Sequence, residues 1–214
     1  MRWDEFNEIR MLLQSAQVLG EAAHEEVFPR ISKFRKDALA KNPNPRLSAV
    51  ASIFVPINKE MNLLMIERQS YDGVHSGQIG FPGGKVEEAD TDLEHTARRE
   101  TEEEVGILMK NLHFIRPLTD VYIPPSGFLV SPYIFWMDHD PVIIPEPREV
   151  QSAFFLPVQK LMRPEVFVEG EIDTGSGSTV KTRFIEHDGM KIWGATAMML
   201  SELRILLNQI SKSR

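Results

Sequence analysis

The sequence predicts a layered sandwich of the α/β or α+β class, in which helices cover a mixed β-sheet. Short apolar runs bounded by polar or turn residues follow one another from residue 47 to residue 194, as is typical of strands. Stretches with apolar residues at helical spacing stand before these runs, between them and after them. With 214 residues, the chain is long enough to bury one substantial core.

The first 45 residues are predicted to form a helical extension. Apolar residues recur every three or four positions between residues 4 and 19, which indicates an amphipathic helix. A second helical stretch, from 31 to 39, ends at the prolines of "KNPNPR". We therefore expect an extension over residues 1–45 and a second domain over residues 46–214.

The strands of the second domain are predicted from seven runs. They are "LSAVASIFVPI" (47–57), "NLLMIER" (62–68), "LHFIRPLTDVYI" (112–123), "FLVSPYIFWM" (128–137), "VQSAFFLPV" (150–158), "RFIEH" (183–187) and "MKIWG" (190–194). The "HDG" between the last two predicts a hairpin. The stretch "GEIDTGSGSTVKT" (170–182) predicts a loop because it is rich in Gly, Ser and Thr. Residues 195–211 predict a closing helix, and Phe184 and Trp193 are expected in the core.

Bulk properties argue against several classes of protein. A net charge of -7 argues against a general nucleic-acid binder, which needs concentrated Lys and Arg. The absence of cysteine excludes disulfides and thiolate metal sites. No apolar run approaches the roughly 20 residues that span a bilayer, and "MRWDEFNEIRMLLQ" carries acids where a signal peptide is apolar. We expect a cytoplasmic protein without a membrane partner.

The central helix has an unusual density of carboxylates in "RRETEEEVG" (98–106). We predict a helix from about 91 to 105, with Asp90 or Thr91 as N-cap and Thr91 with Glu94 as a capping box. Gly106 stands where a helix end favours a left-handed residue.

The helical period of about 100° per residue places three of the glutamates on one face, beside the apolar stripe. They are Glu100, Glu103 and Glu104. Arg99 precedes Glu103 by four positions and can pair with it, whereas Glu102 is expected to face solvent.

These carboxylates predict either a solvated acidic face or a cation site. Exposed like-charge pairs cost only about 0.2–0.5 kcal/mol each, so repulsion does not decide between the two. Burial beside the apolar stripe would raise the carboxylate pKa values unless a cation were present. An "FPGG" turn precedes the helix, and its backbone can approach a ligand closely. Oxygen ligands of this kind suit Mg²⁺ or Mn²⁺.

The segment "GGKVEEADTDLEHTARRETEEEVGI" (83–107) resembles the signature of the Nudix hydrolases. The matching residues are Gly84, Asp90, Arg99, Glu100, Glu103, Glu104, Gly106 and Ile107. Asp90 replaces the usual Glu, and its interval to Arg99 is one residue longer than in the general pattern. Both features resemble the coenzyme A pyrophosphatase branch, as do "LLMIERQSYDGVHSGQIGFPGG" (63–84) and "KIWGATA" (191–197).

This resemblance, which covers roughly residues 46–207, implies a Nudix-type α/β/α sandwich with a catalytic loop-helix-loop. It implies a metal-dependent pyrophosphatase that cleaves coenzyme A or its derivatives to 3′,5′-ADP and 4′-phosphopantetheine. Mg²⁺ or Mn²⁺ would be held by Glu100, Glu103, Glu104 and the carbonyl of Gly84. Arg99 would orient the carboxylates, and the general base stays open among Glu100, Glu103 and Glu149. The candidate substrate-binding residues are Arg68, His75, Gln78 and Gly83.

Alternatives stay open at this point. The substrate could be ADP-ribose, NADH or another nucleotide derivative, because no Lys or Arg stands between Arg68 and Lys85. The chain could also be a non-catalytic nucleotide-binding module. Glu149 could be a solvated loop carboxylate, His75 merely polar and Gln78 a strand-edge amide. The N-terminal helices could cover the sandwich, form a homodimer contact or cap the substrate site.

Overall fold

The computed structural model describes residues 1–29, 31–69, 77–173 and 179–212, and a mixed β-sheet forms its centre. The strands of this sheet are β1 (Arg46–Ile57), β2 (Glu60–Arg68), β3 (Ile79–Gly80), β4 (Gly83–Lys85), β5 (His113–Pro117), β6 (Val121–Ile123), β7 (Phe128–Trp136) and β8 (Val150–Pro157). Strand β1 runs parallel to β7 and antiparallel to β2 and β4. Strand β2 also pairs antiparallel with β3 and β8, and β5 and β6 pair antiparallel with β7. The predicted mixed sheet is confirmed.

Helices and a second sheet cover this centre. The helices are α1 (Trp3–Ser15), α2 (Glu21–His24), α3 (Ile31–Ala40), α4 (Leu93–Val105), α5 (Val158–Leu161) and α6 (Gly194–Lys212), with a 3₁₀ turn at Met109–Asn111. The second sheet contains β9 (Phe167–Asp173), β10 (Thr179–His187) and β11 (Met190–Ile192). Within the described ranges, no helix is long and apolar enough to cross a membrane.

The central sheet buries apolar side chains on both faces, and strand β1 shows how. Phe54 belongs to the core cluster beneath α1 and α6, whereas its neighbours Ile53 and Val55 belong to the cluster beneath α4. Successive side chains of a strand point to opposite faces, so one fully buried strand serves both clusters. The predicted sandwich of helices around a sheet is therefore confirmed, with α4 on one side and α1 and α6 on the other.

The N-terminal helices cover the sandwich, which is one of the three roles that the sequence left open. Phe6, Ile9 and Leu13 of α1 are buried in the same cluster as the apolar residues of α6. The domain boundary at residue 45 stays a prediction, but the extension shares its core with the chain that follows.

A buried polar network fixes α2 and α3 to the rest of the molecule. Arg35 donates to the carbonyl of Tyr122 at 2.9 Å and to Nδ1 of His24 at 3.1 Å. Because Nδ1 accepts from a guanidinium, the proton of His24 is on Nε2, which lies 3.5 Å from Glu202. Burial alone would raise the pKa of Glu202, but hydrogen bonds from His24 and Thr119 lower it overall. The extension is thus anchored by charge-assisted contacts as well as by apolar packing.

Three predicted element boundaries were wrong. The first helix ends at Ser15 instead of residue 19, and the run 112–123 divides into β5 and β6. The predicted loop 170–182 is strand at both ends, and residues 174–178 lie outside the described residues. The Gly-rich composition gave a wrong loop prediction, because Gly170 lies in a strand where packing requires it. A Cβ at Gly170 would lie 2.9 Å from the ring of Phe184. The predicted "HDG" hairpin is confirmed, with positive φ at Asp188 and Gly189.

Replacement of Gly83 by Ala should destabilise the protein. A Cβ at Gly83 would lie 2.3 Å from the carbonyl oxygen of Ala49 and 2.5 Å from Cα of Val50, and φ is +150°. Strand β4 would have to separate from β1, so we expect the free energy of unfolding to fall by about 2–4 kcal/mol in chemical denaturation. Gly80→Ala is the matched control, because its Cβ would meet only Oγ1 of Thr196 at 3.8 Å. Equal losses for the two variants would contradict the close packing at Gly83.

Candidate active site

Helix α4 begins and ends with recognisable caps. The carboxylate of Asp92 accepts the N–H of His95 at 2.7 Å, so Asp92 is the N-cap. The predicted caps Asp90 and Thr91 were wrong, and Glu94 pairs with Arg98 instead of closing a capping box. At the other end, Gly106 is left-handed with φ of 72°, as predicted.

Asp90 is not a cap because its carboxylate holds Arg99. The guanidinium donates to both oxygens of Asp90, at 2.9 and 3.0 Å, and Thr96 and the N–H of Glu87 donate to the same group. The hydrogen bonds from Arg99 hold the pKa of Asp90 far below its usual range, and Asp90 in turn raises the pKa of Arg99. This bidentate pair fixes the loop before α4 to the helix.

The same guanidinium also reaches the acidic face of α4. Nη1 of Arg99 donates to Glu100 at 3.0 Å and to Glu103 at 2.8 Å, and Nη2 donates to the carbonyl of Lys85 at 3.1 Å. The predicted pair between Arg99 and Glu103 is therefore present. Arg99 links both of these glutamates to the turn that follows β4.

Glu104 is the buried carboxylate of the group, with only 1% of its surface exposed. One oxygen accepts the N–H of Gly83 at 2.8 Å, and the other accepts from Arg68 at 3.2 Å. Burial raises the pKa of Glu104 to about 7, because it outweighs the stabilising effects of Arg68 and of the Gly83 N–H.

Glu100 lies directly against the glycine turn. A Cβ at Gly84 would be 2.4 Å from its carboxylate, so this position requires the missing side chain of glycine. Burial raises the pKa of Glu100, although Arg99 acts in the opposite direction. Backbone and carboxylate therefore meet at this point without an intervening side chain.

Glu149 completes the group from a separate segment. Carboxylate oxygens of Glu100, Glu104 and Glu149 all lie within 4.8 Å of one another. The segment before Glu149 is tied to the end of α4, because the N–H of Ile144 donates to Val105 and that of Glu146 donates to the carbonyl of Glu104. These bonds also satisfy carbonyls that a helix end leaves without partners.

This arrangement fits a hard divalent cation. Burial raises the pKa values of Glu100 and Glu104, and the neighbouring carboxylates add a smaller effect in the same direction. The candidate metal-ligand atoms are all oxygens, and the backbone at Gly84 lies directly beside them. Such a set of oxygen ligands suits a cation that also binds water and phosphate. The site can therefore hold a metal and present it to an anionic substrate.

Glu103 and Glu102 stand outside this group. The side chain of Glu103 is 55% exposed and is held by Arg99. Glu102 was predicted to face solvent, but it is half-buried and accepts the N–H of Met109 at 2.8 Å. The helical period could not reveal this contact, because it depends on how the chain turns after Gly106.

The predicted substrate residues have different surroundings. The guanidinium of Arg68 is occupied by Glu104 and by the carbonyl of Gly83, at 2.5 Å. The carbonyl of Gln78 accepts the N–H of Arg68 at 3.1 Å, beside the turn. His75 lies outside the described residues. Two clefts, of about 470 and 500 Å³, lie away from the carboxylates, at α3 and at α1.

Sequence reasoning missed Gln69. Its N–H donates to the carbonyl of Glu149 and its side chain donates to that of Pro147, each at 2.8 Å. A contact between positions 80 residues apart leaves no local signal in a single sequence.

Comparisons with known proteins agree on one family. A family model described as the NUDIX domain matches residues 46–173. The uncharacterized Nudix hydrolase NudL of Yersinia enterocolitica is 30% identical over 160 residues, which cover 74% of this chain and 81% of NudL. The mitochondrial coenzyme A diphosphatase NUDT8 of Homo sapiens is 30% identical over 156 residues, which cover 71% of this chain and 66% of NUDT8, just under two thirds.

A solved structure supports the fold. The crystal structure of the Nudix hydrolase RenU of M. smegmatis superposes with a TM-score of 0.50 over 78% of this chain and 88% of RenU. The sequence identity is 15%, so this likeness concerns the fold alone.

The buried Glu104 should make the metal-free protein less stable as the pH rises. Between about pH 4.3, where an unfolded glutamate titrates, and its folded pKa of about 7, the folded chain holds a proton that the unfolded chain has released. Stability therefore falls through this window. Compared with Glu104→Gln in the presence of EDTA, the wild type should lose about 2–3 kcal/mol of unfolding free energy between about pH 4.5 and 7.5.

The comparison reports on Glu104 and its interaction with Glu100 and Glu149, because the titrating groups elsewhere are common to both proteins. Urea denaturation at a series of pH values measures the difference. A difference that stays constant across the range would show that Glu104 titrates normally.

Proposed function

The chain belongs to the Nudix family, whose hydrolases act on phosphoric anhydride bonds, and we propose that it is a metal-dependent pyrophosphatase of coenzyme A or a coenzyme A derivative. The observation that carries the proposal is the meeting of Glu100, Glu104 and Glu149 beside the turn at Gly84. The substrate is supported by the likeness to NUDT8, which is named a coenzyme A diphosphatase.

The proposed metal residues are Glu100, Glu104, Glu149 and the carbonyl of Gly84, with Mg²⁺ or Mn²⁺ as the cation. When bound, such a cation neutralises phosphoryl oxygens and acidifies water. From the sequence, Glu103 was expected to be one of three carboxylate ligands, with Glu100 and Glu104. We propose a different role for it, because it lies outside the group and its ion pair helps to hold Arg99 in place.

The residues around this centre have separate roles in positioning the carboxylates and in accepting a proton. Arg99 keeps Glu100 in position through its bond at 3.0 Å, while Asp90 keeps Arg99 in position. Glu104 has both oxygens engaged by the protein. Glu149 is exposed and comes from a loop, so one of its oxygens would bind the cation while the other is the best placed to receive a proton from the attacking water.

Hydrolysis then breaks one P–O bond of the diphosphate bridge, and the water oxygen joins the attacked phosphorus. The two products are 3′,5′-ADP and 4′-phosphopantetheine, or its acylated form. The chain's contribution is to position the groups and compensate their charge, which is the main requirement in phosphoryl transfer.

A second candidate is hydrolysis of ADP-ribose or NADH. It is favoured by the lack of Lys and Arg from residue 69 to residue 84, where a 3′-phosphate would need a cation. A non-catalytic binding module is disfavoured, because the carboxylates at 100, 103 and 104 are all present. A cytoplasmic location and a homodimer stay predictions; the human relative is named mitochondrial.

A substrate screen with Mg²⁺ or Mn²⁺ tests the proposal. Coenzyme A, acyl-coenzyme A, ADP-ribose, NADH and diadenosine polyphosphates are compared, with the products identified by mass. We expect kcat/KM for coenzyme A or an acyl derivative to exceed that for ADP-ribose and NADH by about tenfold or more, a difference of about 1.4 kcal/mol. A tenfold preference in the opposite direction would favour the second candidate. Lack of hydrolysis of every substrate would favour the binding module.

Amide substitutions of the glutamates should separate their roles. We expect Glu149→Gln to lower kcat by about a hundredfold or more, as loss of a general base does. Glu104→Gln should lower kcat by a similar factor and also weaken Mn²⁺ binding by about tenfold or more, measured by the paramagnetic resonance of free Mn²⁺.

Two neighbouring glutamates serve as controls. Glu102→Gln keeps an acceptor for the N–H of Met109 and should change neither quantity by more than about threefold. Glu103→Gln should leave Mn²⁺ binding within about threefold while it lowers kcat through Arg99. If Glu103→Gln weakened Mn²⁺ binding as much as Glu104→Gln, Glu103 would be a ligand.

A further inference from the structure

The end of strand β2 contacts each segment that supplies the carboxylate site. The side chain of Arg68 donates to Glu104 on α4 at 3.2 Å and to the carbonyl of Gly83 at 2.5 Å. The next residue, Gln69, donates through its N–H to the carbonyl of Glu149 and through its side chain to that of Pro147, each at 2.8 Å. Helix, glycine turn and loop therefore meet at two consecutive residues.

The contacts of Arg68 form a closed ring around Gly83. The N–H of Gly83 donates to one oxygen of Glu104, and the carbonyl of Gly83 accepts from Arg68. Arg68 completes the ring by donating to the other oxygen of Glu104. Because both peptide groups of Gly83 are held, the orientation of the backbone that enters Gly84 is fixed as well.

Strand β2 is shaped to aim Arg68 at this ring. Its register with β8 shifts between Glu67 and Arg68, which is the mark of a bulge. A bulge bends a strand locally and redirects a side chain. The N–H of Arg68 pairs with the carbonyl of Gln78 after this shift, so the backbone of Arg68 is itself held.

The charges require such a contact. Glu104 is 1% exposed, and Glu100 and Glu149 bring further carboxylates within 4.8 Å of it. A buried carboxylate without a cationic partner is strongly destabilising. Among the described Arg and Lys side chains for which an ion pair is found, Arg68 is the one that pairs with Glu104. Arg99 instead binds Asp90, Glu100 and Glu103.

We propose that Arg68, supported by Gln69, is a positioning residue that assembles the catalytic carboxylates from α4, the glycine turn and the loop of Glu149. The inference rests on the proposed pyrophosphatase function, and it replaces the substrate-binding role that the sequence suggested for Arg68. Arg68 acts through Glu104 and Gly83, so its loss disturbs the geometry of the reaction more than the affinity for substrate.

A melting-temperature cycle tests the charge contact without any substrate. In EDTA at pH 8, Arg68→Met should lower Tm, because Glu104 loses its partner. Glu104→Gln should then raise Tm by about 3 °C or more beyond its effect in the wild type, since no buried charge remains. Arg116→Met is the control, because Arg116 bonds the carbonyls of Leu13 and Ala16 away from the site. In that background Glu104→Gln should have its wild-type effect.

Metal and kinetics complete the test. Saturating Mn²⁺ should raise Tm more in Arg68→Met than in the wild type, because the cation then supplies the missing positive charge. With the best substrate of the screen, kcat of Arg68→Met should fall by about a hundredfold with KM within about threefold, and Arg68→Lys should recover part of the loss.

Two outcomes overturn the proposal. The first is an additive temperature cycle, in which Glu104→Gln has the same effect with and without Arg68. The second is a KM that rises by about tenfold or more while kcat is retained, which would make Arg68 a substrate ligand. If no substrate is hydrolysed, the proposed function fails, but the temperature cycle and the Mn²⁺ shift still report on Arg68.

Discussion

The burial of the Glu104 carboxylate is the constraint on which the rest of the site depends. A charge removed from water needs hydrogen bonds and an opposite charge, and here it takes the N–H of Gly83 and the guanidinium of Arg68. The glycine turn and the end of β2, next to its bulge, supply these two partners. The remaining cost appears as the raised pKa of Glu104, to about 7. A protein that only required a stable fold would gain from an apolar residue at this position.

Two arginines hold four of the acidic residues in and before α4. Arg68 serves the buried Glu104, whereas Arg99 holds Asp90 before the helix and Glu100 and Glu103 on it. The bidentate contact with Asp90 engages most of the guanidinium of Arg99, so the main role of Arg99 is to hold the loop before α4 against the helix. Each arginine thus has a separate segment to fix, and neither is left as a free surface charge.

Local sequence rules predicted the parts of the site that lie within one helix. The period of α4 placed Glu100 and Glu104 beside the apolar stripe, and the spacing of four predicted the pair between Arg99 and Glu103. The same rules failed where distant segments compete for a side chain. Asp90 and Asp92 are equally good caps by type, and the ion pair with Arg99 decided between them. The contact of Glu149 with Gln69 lies at the ends of the neighbouring strands β8 and β2, and no periodicity in a single sequence encodes which strands become neighbours.

Backbone hydrogen bonds at the end of α4 link the helix to the loop that carries Glu149. Ile144 and Glu146 donate to carbonyls of the last helical turn, so this turn and the loop of Glu149 share their hydrogen bonds. Fraying of this turn would break the bonds between the helix and the loop, but Gly83 and Arg68 would still hold Glu104, and Gln69 would still hold the loop of Glu149. Local opening of the site therefore requires the contacts at the end of β2 to break together with those at the helix terminus, so its lifetime depends on both.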